Sequence, residues 1–370
     1  MNILVTGAKG FIGKNLLYHL ESQNKFKITT LEKKESYSTF YKKILEADII
    51  FHLAGENRSD FKKDYIENNY NLTKNIIKIL DENKKKTKLI FTSSIQAVAD
   101  NIYGISKRNA EKALIRYKKK NSNVLICRLP NVFGKWSEPF YNSVVSTFCY
   151  QVARKIKLNL FNKNIKITFL YIDDLVQQFL KLINKKIEKK TFLKLNNTYK
   201  ISLLDLSNLI ISFKKKNKIN LINNLQNSFV KKLYSTYISF LPKKDFVYSI
   251  KKKIDNRGEF TEFLNNDNFG QFSFFTIFPG KIRGNHYHHT KIEKFALLHG
   301  KVKFKFIDLS TNVKFSLVVK DSNKRSIVVN TIPGWAHNIE NIGTDTAKLV
   351  VWSNEVFDKN NPDTFNYKLK

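Results

Sequence analysis

Over roughly the first 180 residues, short runs of consecutive apolar residues alternate with longer segments in which apolar positions recur every three or four. The runs Asn2–Thr6, Lys27–Leu31, Ile49–Leu53, Leu89–Ser93 and Asn123–Cys127 predict strands buried on both faces. Between them, Phe11–Leu20, Tyr65–Glu82 and Tyr103–Lys119 predict helices. Regular alternation of this kind implies a parallel, doubly wound sheet. Residues 150–245 keep mostly helical spacing with short strands, as a small lobe covering a substrate would, and the Lys/Asn-rich stretch 214–225 predicts a loop. The pattern changes around Leu241-Pro242-Lys243-Lys244. Beyond it come short period-two segments at Phe260–Phe263, Gly270–Phe278, Phe295–Leu298, Lys301–Ile307, Lys314–Val319 and Leu349–Trp352, which predict a β-sandwich or barrel. The expected fold class is α/β plus all-β, with a Rossmann-type domain over residues 1–245 and a β-barrel domain over residues 246–370.

Composition supports two cores and narrows the partners. A chain of 370 residues exceeds what one hydrophobic core serves, and 42% hydrophobic with 13% aromatic content is enough for two. The net charge of +34 would normally suggest nucleic acid or a membrane surface. Here the excess is nearly all Lys, with only eight Arg, and it is dispersed in short runs such as Lys84–Lys86, Lys118–Lys120, Lys214–Lys216 and Lys251–Lys253. Heavy use of Asn, Ile and Phe beside Lys points to AT-rich coding bias and a solvated surface, so neither nucleic acid nor membrane is expected as partner. Cys127 and Cys149 are the only cysteines, which excludes a disulfide framework and fits a reducing cytosol. A strand beginning at Asn2 leaves no place for a signal peptide, and no apolar run reaches membrane-spanning length. The expectation is a soluble cytoplasmic protein.

Candidate chemistry starts at Val5-Thr6-Gly7-Ala8-Lys9-Gly10-Phe11-Ile12-Gly13, between a predicted strand and a predicted helix. Gly7 permits the tight turn, Gly10 lets the backbone approach a pyrophosphate, and Gly13 allows close helix packing. The helix N-terminus at Phe11 and Ile12 then receives the phosphate charge. The ribose discriminator falls at Leu31-Glu32-Lys33-Lys34. Glu32 favours NAD by accepting from the ribose hydroxyls, whereas Lys33 or Lys34 could neutralise the extra phosphate of NADP. Tyr103-x-x-x-Lys107 puts a phenol and an ammonium one helical turn apart, where the ammonium would lower the phenol's pKa and hold the nicotinamide ribose. Ser94, or its neighbour Ser93, ends the preceding strand and can hydrogen-bond a carbonyl that Tyr103 protonates as hydride arrives.

These residues, with His52-Leu53-Ala54-Gly55, Asn69-x3-Thr73 and Arg128-Leu129-Pro130-Asn131-Val132-Phe133-Gly134, resemble the extended short-chain dehydrogenase/reductase superfamily. Many of its members act on nucleotide sugars. The resemblance implies that Leu53, Ala54, Gly55 and Pro130 border the cofactor. It also makes Asn131, Lys135 and Arg154 candidates for contact with a substrate diphosphate.

A second constellation lies near the end of the chain. Gly280-x5-His286-x-His288-x4-Glu293-x6-Gly300, followed by Pro333-Gly334-x2-His337-x3-Asn341, matches both cupin motifs in their spacing. Strand alternation sets His286 and His288 on one face and turns His289 outward. Glu293 and His337 complete a three-nitrogen, one-carboxylate set that suits Zn²⁺ and would also accept Fe, Mn or Ni. The chemistry to expect there is proton transfer beside a ketone, with Tyr287, Lys294 and His299 as candidate proton carriers.

Both halves in this order resemble one small family, the bifunctional UDP-4-keto-sugar epimerase/reductases with a C-terminal cupin, used in bacterial capsule and O-antigen synthesis. The carrying stretches include Ser93-Ser94-Ile95-Gln96-Ala97, Tyr141-Asn142-Ser143-Val144, Leu233-Tyr234-Ser235-Thr236-Tyr237, Asp255-x-Arg257-Gly258-x-Phe260-Thr261-Glu262-Phe263 and Gly284-Asn285-His286-x-His288-His289-Thr290-Lys291. The family's short spacing from Ser to Tyr matches the nine positions between Ser94 and Tyr103. The resemblance implies a UDP-activated 4-keto amino sugar, UDP-2-acetamido-2,6-dideoxy-hexos-4-ulose, on the route to UDP-N-acetyl-L-fucosamine. The cupin would epimerise C3 and the reductase would reduce the C4 ketone with NADPH, giving UDP-2-acetamido-2,6-dideoxy-β-L-talose. Homodimers with zinc in the cupin are implied too. Glu32 departs from the basic residue expected for NADPH, so NADH stays possible. Two rival readings remain on the sequence: a 4-keto-sugar reductase with a purely structural cupin, and a non-catalytic dinucleotide sensor, against which Tyr103 and Lys107 argue.

Overall fold

The computed structural model describes residues 1–160, 162–187, 190–217, 227–251, 253–255, 258–260, 270–355 and 360–369. The chain forms two compact units. The first comprises Met1–Phe133, Phe140–Ser143 and Ile167–Lys200, and the second Gly134–Pro139, Val144–Lys166 and Ile201–Lys370.

The first unit is built on a five-stranded parallel sheet of β1 (Asn2–Thr6), β2 (Lys27–Leu31), β3 (Ile49–His52), β4 (Lys88–Ser94) and β5 (Val124–Leu129). The order is β2-β1-β3-β4-β5. Leu4, Ile50, Leu89, Phe91 and Ile126 are fully buried, as strands covered on both faces require. The chain order reverses at β1, with β2 on one side and β3 on the other. That switch opens a crevice beyond the carboxyl ends of β1 and β3, the place where doubly wound sheets bind ligands. It is a Rossmann-like fold, as the sequence pattern predicts.

One expected helix differs. The stretch Tyr65–Glu82 runs as an α-turn at Lys62–Tyr65, a π-helical turn at Ile66–Asn71 and a regular helix at Leu72–Glu82. The wide turn coincides with Asn69, whose fully buried side chain bonds outside the helix, to the Glu56 backbone and to Ser106. A bulge of this type often marks a functional position.

The second unit contains helices Val144–Ala153, Leu203–Asn217 and Ser228–Ser239. Phe213, Tyr234 and Tyr237 pack between them, with ring centroids 5.2 Å apart for the first pair. The predicted loop 214–225 begins later than expected, since the helix continues to Asn217, and residues 218–225 lie outside the described residues.

Two five-stranded antiparallel sheets follow. One orders Gln271–Ile277, Ala347–Ser353, Glu293–His299, Arg325–Asn330 and Val247–Lys251. The other orders Lys314–Lys320, Lys301–Asp308, Trp335–Asn341, Ile282–Tyr287 and Phe365–Asn366. They pack face to face through aromatic contacts such as Phe295 on Phe304, with centroids 5.8 Å apart. This is the expected all-β, cupin-like architecture. Of the predicted strand Phe260–Phe263, Phe260 ends a short strand (Gly258–Phe260) paired with Lys253–Asp255, and Thr261–Phe263 lie outside the described residues.

Candidate functional site

The glycine loop sits at the switch point. A Cβ on Gly7, whose φ is +68°, would lie 2.6 Å from the Ala54 nitrogen, so only glycine lets the loop after β1 touch Leu53-Ala54 after β3. A Cβ on Gly13 would overlap the Gly7 carbonyl, so this glycine brings the helix Phe11–Glu21 against the turn. Gly10 begins that helix without a side-chain cap, leaving the first-turn N–H groups of Phe11, Ile12 and Gly13 directed at an incoming anion. Glu32 is held by Lys9 of the loop at 2.8 Å, and Lys33 is exposed beside it. The carboxylate that would favour NAD is thus partly neutralised from the glycine loop itself.

A buried hydrogen-bond chain ties this crevice to the catalytic helix Ile102–Lys118. The Thr73 hydroxyl donates to the Asn69 carbonyl at 2.7 Å and so accepts from His52 Nε2 at 2.9 Å. His52 Nδ1 then accepts from the Thr6 hydroxyl at 2.8 Å, and that oxygen accepts from the Ala54 N–H at 3.1 Å. Every proton is assigned only if His52 is neutral with hydrogen on Nε2. Complete burial, reinforced by the positive charge of Lys107, drives its pKa down to about 3, consistent with that tautomer. His52 was legible as part of the cofactor loop, but its linking role was not.

At the end of this network stand the three candidate catalytic residues. Ser94 accepts from the Gln96 N–H at 3.1 Å, and its side chain lies near enough to Tyr103 to oppose the rise of the phenol's pKa. The hydroxyl of Ser93, the alternative, is buried and makes no hydrogen bond among the described residues. The geometry therefore favours Ser94. Lys107 is buried, donates to the Thr92 carbonyl at 3.1 Å and lies 5.0 Å from the Phe91 ring centroid. The expected lowering of the Tyr103 phenol by Lys107 is not seen. Burial raises the phenol above the ordinary tyrosine value, with the Ser94 hydrogen bond opposing and Tyr65 adding to the rise, because the ammonium is directed elsewhere.

Burial also brings Lys107 down to about 8, against the pull of Glu111. Below that pH the folded protein carries a charge that water would hold more readily. Lys107→Met should therefore stabilise the N-terminal unit at pH 7 by about 1–3 kcal/mol. The gain should shrink as pH rises from 8 toward the ordinary lysine value, because folded wild type sheds its proton first. Thermal unfolding at pH 7 and 9.5 checks both signs.

The candidate substrate residues are placed variously. Asn131 is exposed on the short strand Asn131–Phe133 of the first unit, just after the buried Pro130. In the second unit, Lys135 is buried, its ammonium 5.2 Å from the Trp136 ring centroid, rather than being a surface cation. Arg154 donates to the Phe240 carbonyl at 2.9 Å and lies over Tyr150 at 3.7 Å.

In the barrel, one donor atom from each of His286, His288, Glu293 and His337 falls within 4.8 Å of every other. A bulge between Gly284 and His286, with Asn285 at φ +57°, re-aims the strand so that the His286 and His288 rings converge at 4.9 Å. Glu293 reaches His288 Nε2 at 3.2 Å and His337 Nε2 at 3.4 Å. Burial, with the other two histidines, pushes His286 to about 3, and burial also lowers His337, so both imidazoles are in the neutral, metal-ligating form. Burial opposes charge on Glu293, yet His288 and His337 hold it well below the usual carboxylate range. His286 Nε2 is buried without a hydrogen-bond partner among the described residues. An orphaned nitrogen, neutral imidazoles and an ionised carboxylate fit a divalent cation.

Asp363 supports this set and was not foreseen. Its main-chain carbonyl accepts from His288 Nδ1, which leaves Nε2 for the centre. Its carboxylate accepts from the N–H groups of His289, Thr290 and Lys291 at 2.6–2.8 Å.

The candidate proton carriers fare less well. His299 ends the strand opposite Glu293 and pairs with Asp321 at 3.0 Å, about 20 Å along the strand by its rise per residue. Lys294 alternates away from Glu293 and bonds Asn330 at 2.8 Å. Tyr287 alternates away from His286 and stacks on Phe365. His289 is buried against Phe365 instead of facing outward, because the C-terminal strand covers it.

Comparison with known proteins agrees with this geometry. Residues 3–201 match the NAD dependent epimerase/dehydratase family, and residues 253–365 match the polysaccharide biosynthesis C-terminal domain. The chain is 40% identical over 366 residues, 99% of its length and 98% of the relative, to the UDP-2-acetamido-2,6-beta-L-arabino-hexul-4-ose reductase of Pseudomonas aeruginosa. The crystal structure of the capsular polysaccharide assembling protein CapF from Staphylococcus aureus matches at 38% identity and a TM-score of 0.67, covering 100% of both chains. UDP-glucuronic acid 4-epimerase from Bacillus cereus with NAD shares the fold alone, at 20% identity and a TM-score of 0.51 over 58% of this chain and 83% of that one. The chain belongs to the NAD dependent epimerase/dehydratase family, in the two-domain group that carries a polysaccharide biosynthesis C-terminal domain and includes the Pseudomonas and Staphylococcus proteins.

Proposed function

We propose that this protein is an NADPH-dependent reductase of a UDP-activated 4-keto amino sugar, and that its cupin-like domain epimerises C3 before reduction. Residues 1–245 would form the reductase domain and 246–370 the epimerase domain, in a cytoplasmic homodimer serving UDP-N-acetyl-L-fucosamine and capsule or O-antigen synthesis. One observation carries the reading. Ser94, Tyr103 and a buried Lys107, with the Ser94 side chain acting on the Tyr103 phenol, occur in the same chain as a complete three-histidine, one-glutamate donor set.

In the reductase half, Ser94 donates a hydrogen bond to the C4 ketone oxygen and Tyr103 gives that oxygen its proton. Lys107 would hold the ribose. Gly7, Gly10 and Gly13 admit the pyrophosphate, and Leu53, Ala54, Gly55 and Pro130 border the cofactor. When bound, the nicotinamide supplies the hydride. Lys9 engages Glu32, which favours NADPH over NADH, and Lys33 would neutralise the 2′-phosphate. Asn131, exposed on the first unit, would face the diphosphate.

In the barrel half, His286, His288, Glu293 and His337 would hold zinc. When bound, it supplies Lewis-acid polarisation of a carbonyl. The product expected from both steps is UDP-2-acetamido-2,6-dideoxy-β-L-talose.

Adding UDP-2-acetamido-2,6-dideoxy-hexos-4-ulose should cause stoichiometric loss of NADPH absorbance, more efficiently than with NADH, and product analysis should show a C4 alcohol. Absence of both cofactor oxidation and the alcohol would exclude the reductase assignment.

A further inference from the structure

The segment that returns to the first unit at Phe140 is gripped by a side chain that the reaction above does not use. Arg58, on the loop after β3, donates through Nη1 to the Phe140 carbonyl at 2.6 Å and the Tyr141 carbonyl at 2.7 Å. Phe140 has φ +63°, a left-handed conformation that a non-glycine residue keeps only where its surroundings impose it. The segment leaves Phe140 54% and Tyr141 42% exposed. Tyr141 also donates its hydroxyl to Glu56 at 3.3 Å.

Glu56 links this segment to the catalytic helix. Its N–H donates to Asn69 Oδ1 at 2.9 Å and its carbonyl accepts from Asn69 Nδ2 at 2.8 Å. The other Nδ2 hydrogen reaches the Ser106 hydroxyl at 2.9 Å, and that hydroxyl donates to the Tyr103 carbonyl at 2.7 Å. Glu56 also follows Gly55, where a Cβ would lie 2.8 Å from Lys107 Nζ. The backbone that carries the Phe140 and Tyr141 rings is therefore tied by directional bonds to the frame that carries Tyr103 and Lys107. Exposed aromatic surface beside a polar reacting centre suits the apolar face of a ring-shaped ligand.

We propose that Arg58 is a positioning residue of the reductase centre, holding Phe140 and Tyr141 as the wall on which the hexose ring of the keto-sugar lies. The proposal rests on the reductase reading above. Arg58 acts through the loop conformation and touches neither cofactor nor reacting atoms. Both bonds leave one nitrogen, Nη1, whose two hydrogens are fixed in the guanidinium plane, so a lysine ammonium on a flexible stem holds the pair of carbonyls less well.

Hydrogen exchange and kinetics on the full-length, NADPH-loaded protein test it separately. Arg58→Ala should speed amide exchange in a peptide covering residues 139–143, while one covering Gly7–Gly13 is unchanged. It should raise KM for the 4-keto UDP-sugar about tenfold, through lost pre-organisation, with kcat reduced less and the KM for NADPH unaltered. Phe140→Ala should raise the sugar KM similarly, and Arg58→Lys should recover part of the loss. Unchanged exchange at 139–143 would remove the clamp. Faster exchange with an unchanged sugar KM in both Ala variants would remove the substrate wall, and so would equal losses of sugar and NADPH affinity. Wild-type protein that reduces no 4-keto sugar would sink the reductase reading and the sugar wall with it, whereas exchange would still decide whether Arg58 holds the loop.

Discussion

Tyr103→Phe should lower the rate of ketone reduction by about 10²–10⁴-fold, the usual contribution of a positioned general acid, and leave proton exchange at C3 untouched. The substitution removes one oxygen. The ring keeps its edge-on contact with Tyr65, whose centroid lies 6.3 Å away, and Asn101 still caps the helix. Folding should therefore survive, since burial already disfavours charge on this phenol and Ser94 keeps its bond from the Gln96 N–H. Ser94→Ala should cost less, because it removes orientation while leaving the proton donor. Rates of NADPH oxidation, with cofactor affinity measured by fluorescence titration, check the pair. A Tyr103→Phe variant that reduces the ketone at an undiminished rate would assign the proton to another group.

The second large effect concerns the barrel. Glu293→Gln should abolish stoichiometric metal binding, because it removes the only carboxylate in a donor set with two neutral histidines. Asp363→Ala should weaken metal binding by about 10–100-fold, the usual cost of losing support behind a ligand. The Asp363 carboxylate fixes three successive backbone N–H groups beside His288, and without it the main-chain carbonyl that orients His288 Nδ1 loses its anchor. Metal analysis after dialysis and competition with a chromogenic chelator read these effects without any assay of activity. Chelation should also lower the unfolding temperature of the C-terminal unit: a site a thousandfold above its dissociation constant contributes about 4 kcal/mol. Full metal retention by Glu293→Gln would show that this glutamate is no ligand.

Much of this arrangement is readable from the chain because its signals are local. Strands buried on both faces appear as unbroken apolar runs, so all five parallel strands lie where the pattern predicts, with ends shifted by a residue or two, as at β3 and β5. The glycine loop, Tyr103 with Lys107 and the four barrel donors also declare themselves by spacing. What escapes is whatever depends on partners distant in sequence or on irregular backbone. The start of the strand Ile282–Tyr287 is missing from the apolar pattern because Arg283-Gly284-Asn285 and a bulge break its alternation. Asp363 acts on residues 72–75 positions earlier, mostly through their backbone, which no side-chain motif encodes. Arg58 looks like one more surface cation in a chain of net charge +34 until its two carbonyl partners are seen. The choice between Ser93 and Ser94 likewise needed the direction of a hydroxyl.

The proposed function implies an order. Protons beside a ketone are acidic only while the ketone exists, so inversion at C3 would precede hydride transfer at C4, and reduction would fix the configuration reached. Supplying the 4-keto UDP-sugar in D₂O, first without and then with NADPH, tests this sequence most directly. The account predicts solvent deuterium at C3 without cofactor, and a C4 alcohol carrying that deuterium only after NADPH is added. A C4 alcohol formed with no solvent deuterium at C3 under either condition would contradict it.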